Sequence, residues 1–484
     1  MSNSTNNFHQ IRAAIAAIPG DVSNDAVGAY APRLDEIYAP ETHATALDPA
    51  VPIVVGPRGA GKSFWSGVLG QVETRRAAAK AYPKLKLDRV FVEFGFTGLV
   101  GGLGGVAVDA LDKNVPISSG PETARAFWWA TILKAAESSL TNKKKSSWNE
   151  LMQVGANFEE RDALLASYEE RLRSQENVLL VVYDALDVMA TSWPRRRMLT
   201  EALLAVVWSM RAYRNLRVKL FIRPDQIDDD ALHFVELPKL RTGAVRLTWS
   251  REDLYGLLFS RLSIEPAFKK LLQKNKIPSG TSSTILTRKW TPAYDSNVQT
   301  IIMTALAGTY MADGPNGYKK GKTYDWPVVH LADAFNEVTP RSFLGMMISA
   351  AKFGAPPDDR AITPDGIRHG LRAASKTRVD HLHQEFKWIK GVLAPLAGLL
   401  LPQDDSEVFK AWKTAKTLPI LIQDAKDHKY LPPFATETKV SERELFLALE
   451  RIGVMFVRKD GRLDMPDLFR VAAKLLKKGG TSPL

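Results

Sequence analysis

The chain has 484 residues, no cysteine, 45% hydrophobic and 24% charged residues, and a net charge of +12. Its length predicts about two to four domains, its composition is that of an ordinary globular protein, and the missing cysteine excludes disulfides and cysteine-ligated zinc and fits a cytoplasmic setting. The positive charge is spread along the chain, with short runs at Lys143 to Lys145 and near the C-terminus, and it permits nucleic acid or other acidic partners.

The first stretch, MSNSTNNFHQIR, is polar and lacks the apolar run of a signal peptide. Residues 1–50 read as an N-terminal arm, in which Tyr38 and His43 are taken as packing residues before adenine contacts. The apolar run GVLAPLAGLLL is broken by Pro395 and is too short to span a bilayer, so no membrane partner is expected.

Residues 51–249 read as an ATPase core. VPIVV has the composition of a strand buried on both faces, and it runs into Gly56, Pro57, Arg58, Gly59, Ala60, Gly61, Lys62 and Ser63, which fit G-x-x-x-x-G-K-[ST] at every fixed position. Glycines let the backbone curl so that successive N–H groups face inward and cradle phosphate oxygens at a helix start. Lys62 would reach the terminal phosphates and the Ser63 hydroxyl would ligate Mg²⁺. The helix expected after the loop carries Phe64, Val68, Leu69 and Val72 on its apolar face.

RVFVEFGF, residues 89–96, reads as a second strand. The glycine-rich GFTGLVGGLGGVAVDALDK that follows reads as an inserted partner-binding loop or a surface loop without a role. PETARAFWWATILKAAESSL is helical. In NVLLVVYDALDVMA an apolar strand, Val178 to Tyr183, emerges at Asp184, the expected Mg²⁺-side carboxylate, and Asp187 would orient the attacking water or stand behind the metal site as a further acid. A helix N-cap is the competing role for Asp184.

A helix through PRRRMLTEALLAVVWSMRAYR precedes the strand Val218 to Ile222. Arg223 at that strand's tip is a candidate γ-phosphate sensor, or a surface arginine paired with Asp225 or Asp228. AVRLTW is a further strand. Alternation of this kind calls for an α/β fold, a P-loop NTPase with a parallel sheet covered by helices. No N-K-x-D element for guanine stands in a suitable place, but these residues alone do not choose ATP over GTP.

Residues 250–353 read as an α-helical lid. Ser250 and Asp253 form a short-acid capping pair, and Leu254, Leu257, Leu258 and Leu262 share one face. In VTPRSFLGMMISAA, Arg341 follows Pro340 in the first turn of a helix, where a cation needs an anion against the dipole. A triphosphate would supply it, and so would Glu337.

Residues 354–484 read as a helical and winged-helix-like C-terminal region. A linker, Phe353 to Gly366, leads to a long basic helix whose His381 and His383 fall on different faces, which argues against a metal site. Asp460-Gly461 predicts a type I′ hairpin turn, flanked by helices in SERELFLALERI and PDLFRVAAKLLKK. Arg458, Lys459 and Arg462 are its basic residues.

These pieces, GPRGAGKS, LLVVYDALD, KLFIRPD and VTPRSF, resemble the additional-strand P-loop NTPases, the AAA+ and STAND group, and more loosely bacterial ATPases with RGAGKSFW and a C-terminal winged helix. The resemblance implies that Gly56 to Ser63 hold ATP, that Asp184 serves Mg²⁺, and that Arg223 and Arg341 are sensors. It also implies a slowly hydrolysing switch that oligomerises or activates a separate effector, with antiviral defence as a setting. The alternative is a DNA-binding ATPase similar to origin-binding or transposition regulators, with double-stranded DNA as partner. Ala185 stands where many AAA+ ATPases carry a second acid.

Overall fold

In the computed structural model, residues 2–19, 31–98, 104–141, 145–190, 192–228, 232–434 and 440–483 are described. Residues 99–103 of the glycine-rich run, and Lys143 and Lys144 of the basic run, lie outside them. The chain forms two compact units, one of Ser23–Thr248 and one of Met1–Val22 with Trp249–Leu484.

The first unit is built on a six-stranded sheet. Its strands are β1 (Ile53–Val55), β2 (Val90–Gly98), β3 (Val106–Ala107), β4 (Val178–Tyr183), β5 (Leu216–Ile222) and β6 (Val245–Arg246), in the order β3-β2-β4-β5-β1-β6. Every neighbour pair is parallel, and β5 lies between β1 and β4. The continuous apolar runs are explained by burial on both faces. On one face Ile53, Val55, Leu179, Val181, Tyr183, Leu220 and Ile222 share a core with Phe127 and Trp128 of the helix Pro121–Leu140 and with Leu199 and Leu203 of the helix Trp193–Met210. The alternate residues Val54, Leu180, Val182 and Phe221 are buried on the other face, and the helix Lys62–Gly70 packs on β2 and β5. This is the α/β P-loop fold that the strand and loop motifs predict.

Three expectations for this unit change. The helix after the loop is two helices, Lys62–Gly70 and Val72–Ala81, separated at Gln71. Thr74 Oγ1 donates to Val68 O at 2.9 Å and Arg75 Nη1 to Leu69 O at 2.6 Å, satisfying the carbonyls the break leaves open. Val72 is therefore 51% exposed, and the buried aromatic residue is Trp65, not Phe64. The glycine-rich segment is not wholly a loop, because its end forms β3 against β2 and then the helix Val108–Asn114. Gly105 makes this approach feasible, since a Cβ there would lie 2.7 Å from the Thr97 side chain.

The second unit is mainly helical. Ser250 caps the helix Arg251–Leu262, its hydroxyl accepting from the Asp253 N–H at 3.0 Å, and Leu254, Leu257, Leu258 and Leu262 are buried. The helices Pro340–Lys352 and Pro364–Glu385 pack together, closely enough that a Cβ on Gly370 would stand 2.3 Å from Met346 O. The segment between them is held down, not a loose linker. Arg12, on the first helix (Ser2–Ala17), donates to Phe353 O at 2.6 Å and Gly354 O at 2.8 Å.

At the C-terminus, β7 (Leu400–Leu401) precedes the antiparallel hairpin of β8 (Phe456–Val457) and β9 (Leu463–Asp464), and β10 (Leu476–Lys477) pairs parallel with β7. The hairpin is where the sequence places it, but its turn is not type I′. Gly461 has φ 84° and Asp460 is not among the positive-φ residues. Arg458 and Arg462 close a three-residue loop through Arg458 N–H to Arg462 O at 2.8 Å. The helix expected after it is short, Asp467–Arg470. The Arg470 side chain is buried and donates to Leu475 O and Thr481 O, each at 2.9 Å, so the chain wraps around it instead of continuing helically.

Candidate nucleotide site

The loop leaves β1 at Gly56 and enters its helix at Lys62. Gly59 and Gly61 adopt φ of 84° and 104°, the left-handed backbone that turns N–H groups toward a common centre. Gly56 lies against Ala60 and Leu247, where a Cβ would meet each at 3.3 and 3.4 Å. Lys62 Nζ donates to Gly56 O at 2.7 Å and Pro57 O at 3.1 Å, so its ammonium stands over the mouth of the loop.

Asp184 sits where β4 ends, its N–H donating to Phe96 O at 3.0 Å. The residue is 2% exposed, and Oδ2 has no hydrogen-bond partner among the described residues. Burial pushes its carboxyl above the ordinary range, opposed by hydrogen bonds from Ser63 and the Ala185 N–H and by the Lys62 charge. A buried carboxylate oxygen without a partner, beside a hydroxyl and an ammonium on a phosphate loop, is a hard-oxygen donor set that fits Mg²⁺. Among the described residues no group of three or more His, Asp or Glu gathers as a metal cage, and a site completed by substrate phosphates does not need one.

The chain reverses immediately beyond Asp184. Ala185 has φ 55°, uncommon for a residue with a Cβ, and it leads into a 3₁₀ turn, Leu186–Val188, that carries Asp187. Burial opposes the Asp187 charge, but Arg223, Lys62 and Arg196 outweigh it and hold its carboxyl below the ordinary range. Asp187 Oδ2 lies 3.6 Å from Arg223 Nη1.

Arg223 ends β5 as expected, but it is not a surface arginine. Its side chain is 8% exposed, and its Nη2 donates to Asp225 Oδ2 at 3.1 Å. Asp228 is near Arg241 instead. The structure thus gathers Gly56 to Ser63, Asp184, Asp187 and Arg223. Arg341 stands in the helical unit, on the first turn of Pro340–Lys352, whose N-cap Thr339 accepts from the Ser342 N–H at 3.3 Å.

Sequence reasoning missed several residues. Arg196 reaches Asp225 at 3.4 Å, and its only signal was the unexplained PRRR run at a helix start. His43 packs as expected, yet it also links Trp65 Nε1, which donates to its Nδ1 at 3.0 Å, to Thr248 O at 2.9 Å from Nε2. Lys219, inside an apolar strand, is 0% exposed and donates to Ala46 O, Asp48 O and Val51 O at 2.8, 3.0 and 2.6 Å, tying down the segment that enters β1.

No protein-family model matches this chain, and no curated protein matches it. Among solved structures, it is similar to the ORC2 protein of Aeropyrum pernix in its ADPNP–ADP complexes, with 13% identity over 93% of each chain and a TM-score of 0.38. To the ADP form of that protein it is 12% identical, over 90% of this chain and 92% of that one, with a TM-score of 0.31. The fold assignment stands on the strand order and the loop themselves. Among the described residues no helix is long and apolar enough to cross a membrane.

Proposed function

We propose that this chain is an AAA+-like ATP-binding switch that hydrolyses ATP slowly with Mg²⁺. The observation that carries the reading is Asp184 Oδ2, buried and unpartnered beside Ser63 at a loop that fits every fixed position of the phosphate-binding pattern. The backbone N–H groups of Arg58, Gly59, Gly61, Lys62 and Ser63 bind the phosphates, and the Lys62 side chain transfers from the loop carbonyls to the terminal phosphate oxygens. Ser63 and Asp184 hold Mg²⁺, which neutralises charge on the phosphates when bound. Arg223 meets the γ-phosphate, and Asp187 orients the attacking water. Arg341 would act as a second sensor from the helical lid.

Slow turnover follows from two features of the chain. Ala185 provides no acid beside Asp184, and Asp187 is kept a weak base by its cationic neighbours.

One observation favours DNA as the partner through which the switch acts. Residues 23–248 carry 29 Lys and Arg against 27 Asp and Glu, whereas residues 1–22 with 249–484 carry 36 against 26, so ten of the twelve excess positive charges fall on the helical unit. Four short strands among helices at its C-terminus, two of them a hairpin, support a winged-helix reading of that region. The other output, oligomerisation or activation of a separate effector as in antiviral defence, predicts activity only with a partner protein.

Steady-state ATPase activity of the wild type and of Lys62→Ala, with and without double-stranded DNA at two salt concentrations, tests the reading. We expect slow, Lys62-dependent turnover that DNA raises several-fold at low salt. Equal activity in Lys62→Ala would sink the ATPase reading. Lys62-dependent turnover indifferent to DNA would move the output to a protein partner.

A further inference from the structure

Four charged side chains that the phosphate loop does not contain converge beside it, from three separate elements. Arg196 lies in the first turns of Trp193–Met210, Arg223 and Asp225 flank Pro224 where β5 gives way to a short helix, and Asp187 lies in the turn after β4. Asp225 holds the Arg223 guanidinium through Nη2 and stands close to its Nε. Its Oδ1 is 3.1 Å from Nε, and its Oδ2 accepts from Nη2 at 3.1 Å. The same Oδ2 accepts from Arg196 Nη2 at 3.4 Å. Arg196 is itself 7% exposed, with its guanidinium 5.6 Å from the Trp193 ring centre.

A guanidinium is planar, and a carboxylate hydrogen-bonded to Nη2 and ion-paired beside Nε, without a hydrogen bond to Nε itself, restricts how the fork can turn. Nη1 lies 3.6 Å from Asp187 Oδ2. Asp225 also stands between two buried cations that would otherwise repel each other. Arg196, anchored on a different helix, keeps Asp225 from following Arg223 if that side chain moves. The arrangement is a brace behind one nitrogen.

We infer that Asp225 and Arg196 are positioning residues that hold Arg223 Nη1 toward the γ-phosphate position, and so set the preference of the site for a triphosphate over a diphosphate. The inference rests on the nucleotide-switch reading above and assigns it two residues that the phosphate-loop and metal motifs do not contain. The γ-phosphate is the chemical difference between the two nucleotides, so an aligned Nη1 tightens one and is indifferent to the other. A merely structural role for Asp225 would weaken both nucleotides alike or lower thermal stability.

The test is equilibrium binding of a non-hydrolysable fluorescent ATP analogue and of fluorescent ADP, each with Mg²⁺. The proteins are the full-length wild type, Arg223→Ala, Asp225→Asn, Arg196→Gln and the Arg223→Ala/Asp225→Asn double variant, with thermal melting of each. We expect Asp225→Asn to lose about tenfold in triphosphate affinity, the size of one charge-assisted hydrogen bond, with ADP affinity kept within about twofold. The double variant should match Arg223→Ala, because residues acting through one another are not additive. If Asp225→Asn does not fold, Arg196→Gln carries the test, with an expected loss of about threefold confined to the triphosphate. An unchanged triphosphate-to-diphosphate ratio in Asp225→Asn or Arg196→Gln, alongside a collapsed ratio in Arg223→Ala, overturns the inference alone. A wild type that binds neither nucleotide, or an Arg223→Ala ratio that does not move, overturns the site reading and this inference with it.

Discussion

The two units differ in how they use charge. The α/β unit is nearly balanced, and several of its charges are buried around one place: Asp184, Arg196 and Arg223 are all buried, with Lys62 and Asp187 beside them. The helical unit holds most of the excess cations, and among its described residues no comparable gathering stands at a phosphate loop. Balanced and buried charge is suited to chemistry at fixed geometry, since it is screened little by salt. Surplus charge suits association with a polyanion, which is long-ranged and salt-dependent. On the proposed function the comparison separates an ATP-handling unit from a partner-reading one, and it can be broken from either side.

The largest effect is expected in the α/β unit. Asp184→Asn should lower kcat for ATP hydrolysis on the order of 10²- to 10³-fold, while the melting temperature holds or rises, because burial already penalises the charged carboxyl. A phosphate-release assay paired with a thermal melt reads both, and a variant that hydrolyses normally would remove Asp184 from the site. Next in size is Lys219→Met. It leaves three carbonyls, of Ala46, Asp48 and Val51, without their shared donor, and should cost about 3 kcal/mol of stability. Denaturant unfolding of the full chain checks this, and a loss under about 1 kcal/mol would mean that water replaces the ammonium.

Legibility follows the same division. The phosphate loop was readable because glycine spacing, lysine and serine are all dictated locally, by backbone turn and ligand. The strand Val178–Tyr183 and its acid were readable because burial on both faces leaves a continuous apolar run, and the structure begins and ends that strand at the expected residues. Arg223 was readable as a position but not as an environment. Its pairing with Asp225 is local in sequence, whereas Asp187 reaches Arg223 from 36 residues away and Arg196 reaches Asp225 from 29, a proximity that only the sheet order creates. Lys219 broke no visible pattern, because a lysine whose carbonyl partners are backbone atoms near residues 46–51 leaves no trace in their side chains. At the C-terminus, Asp-Gly announced the hairpin correctly but overstated the turn, since only Gly461 takes the left-handed conformation. The helix after it failed for a tertiary reason, the burial of Arg470.

A pH experiment sharpens the helical side. Asp467 Oδ2 is 2.5 Å from His330 Nδ1, and Asp467 Oδ1 accepts from Arg470 Nε at 2.6 Å. Burial works against the carboxylate, but these partners outweigh it and hold its carboxyl down at about 2. A carboxyl depressed in the folded state adds stability that is full above its ordinary value near 3.8 and is lost as pH falls through about 2. Asp467→Asn should therefore cost about 2 kcal/mol at pH 7 and progressively less toward pH 2, read by denaturant unfolding across that range. A penalty that does not change with pH would assign Asp467 a packing role.

The smallest expected effect bears most directly on which surface reads a partner. If the surplus charge of the helical unit binds DNA, the hairpin tip is the obvious place to look, yet its arginines are already engaged. Arg458 Nη1 lies 3.2 Å from Asp464 Oδ2, and Arg462 Nη2 lies 2.7 Å from Asp460 Oδ2. An arginine held by a neighbouring carboxylate adds little to the field seen by a phosphate and displaces few counterions from it. Replacing both arginines with alanine should then weaken double-stranded DNA binding by less than about threefold and change the slope of log affinity against log salt by less than about one. Fluorescence anisotropy with a short duplex at several salt concentrations measures both quantities. A loss of tenfold or more, with the slope falling by about two, would mean that DNA pulls Arg458 and Arg462 away from Asp464 and Asp460, and would put the contact at the hairpin instead of on the rest of the helical unit.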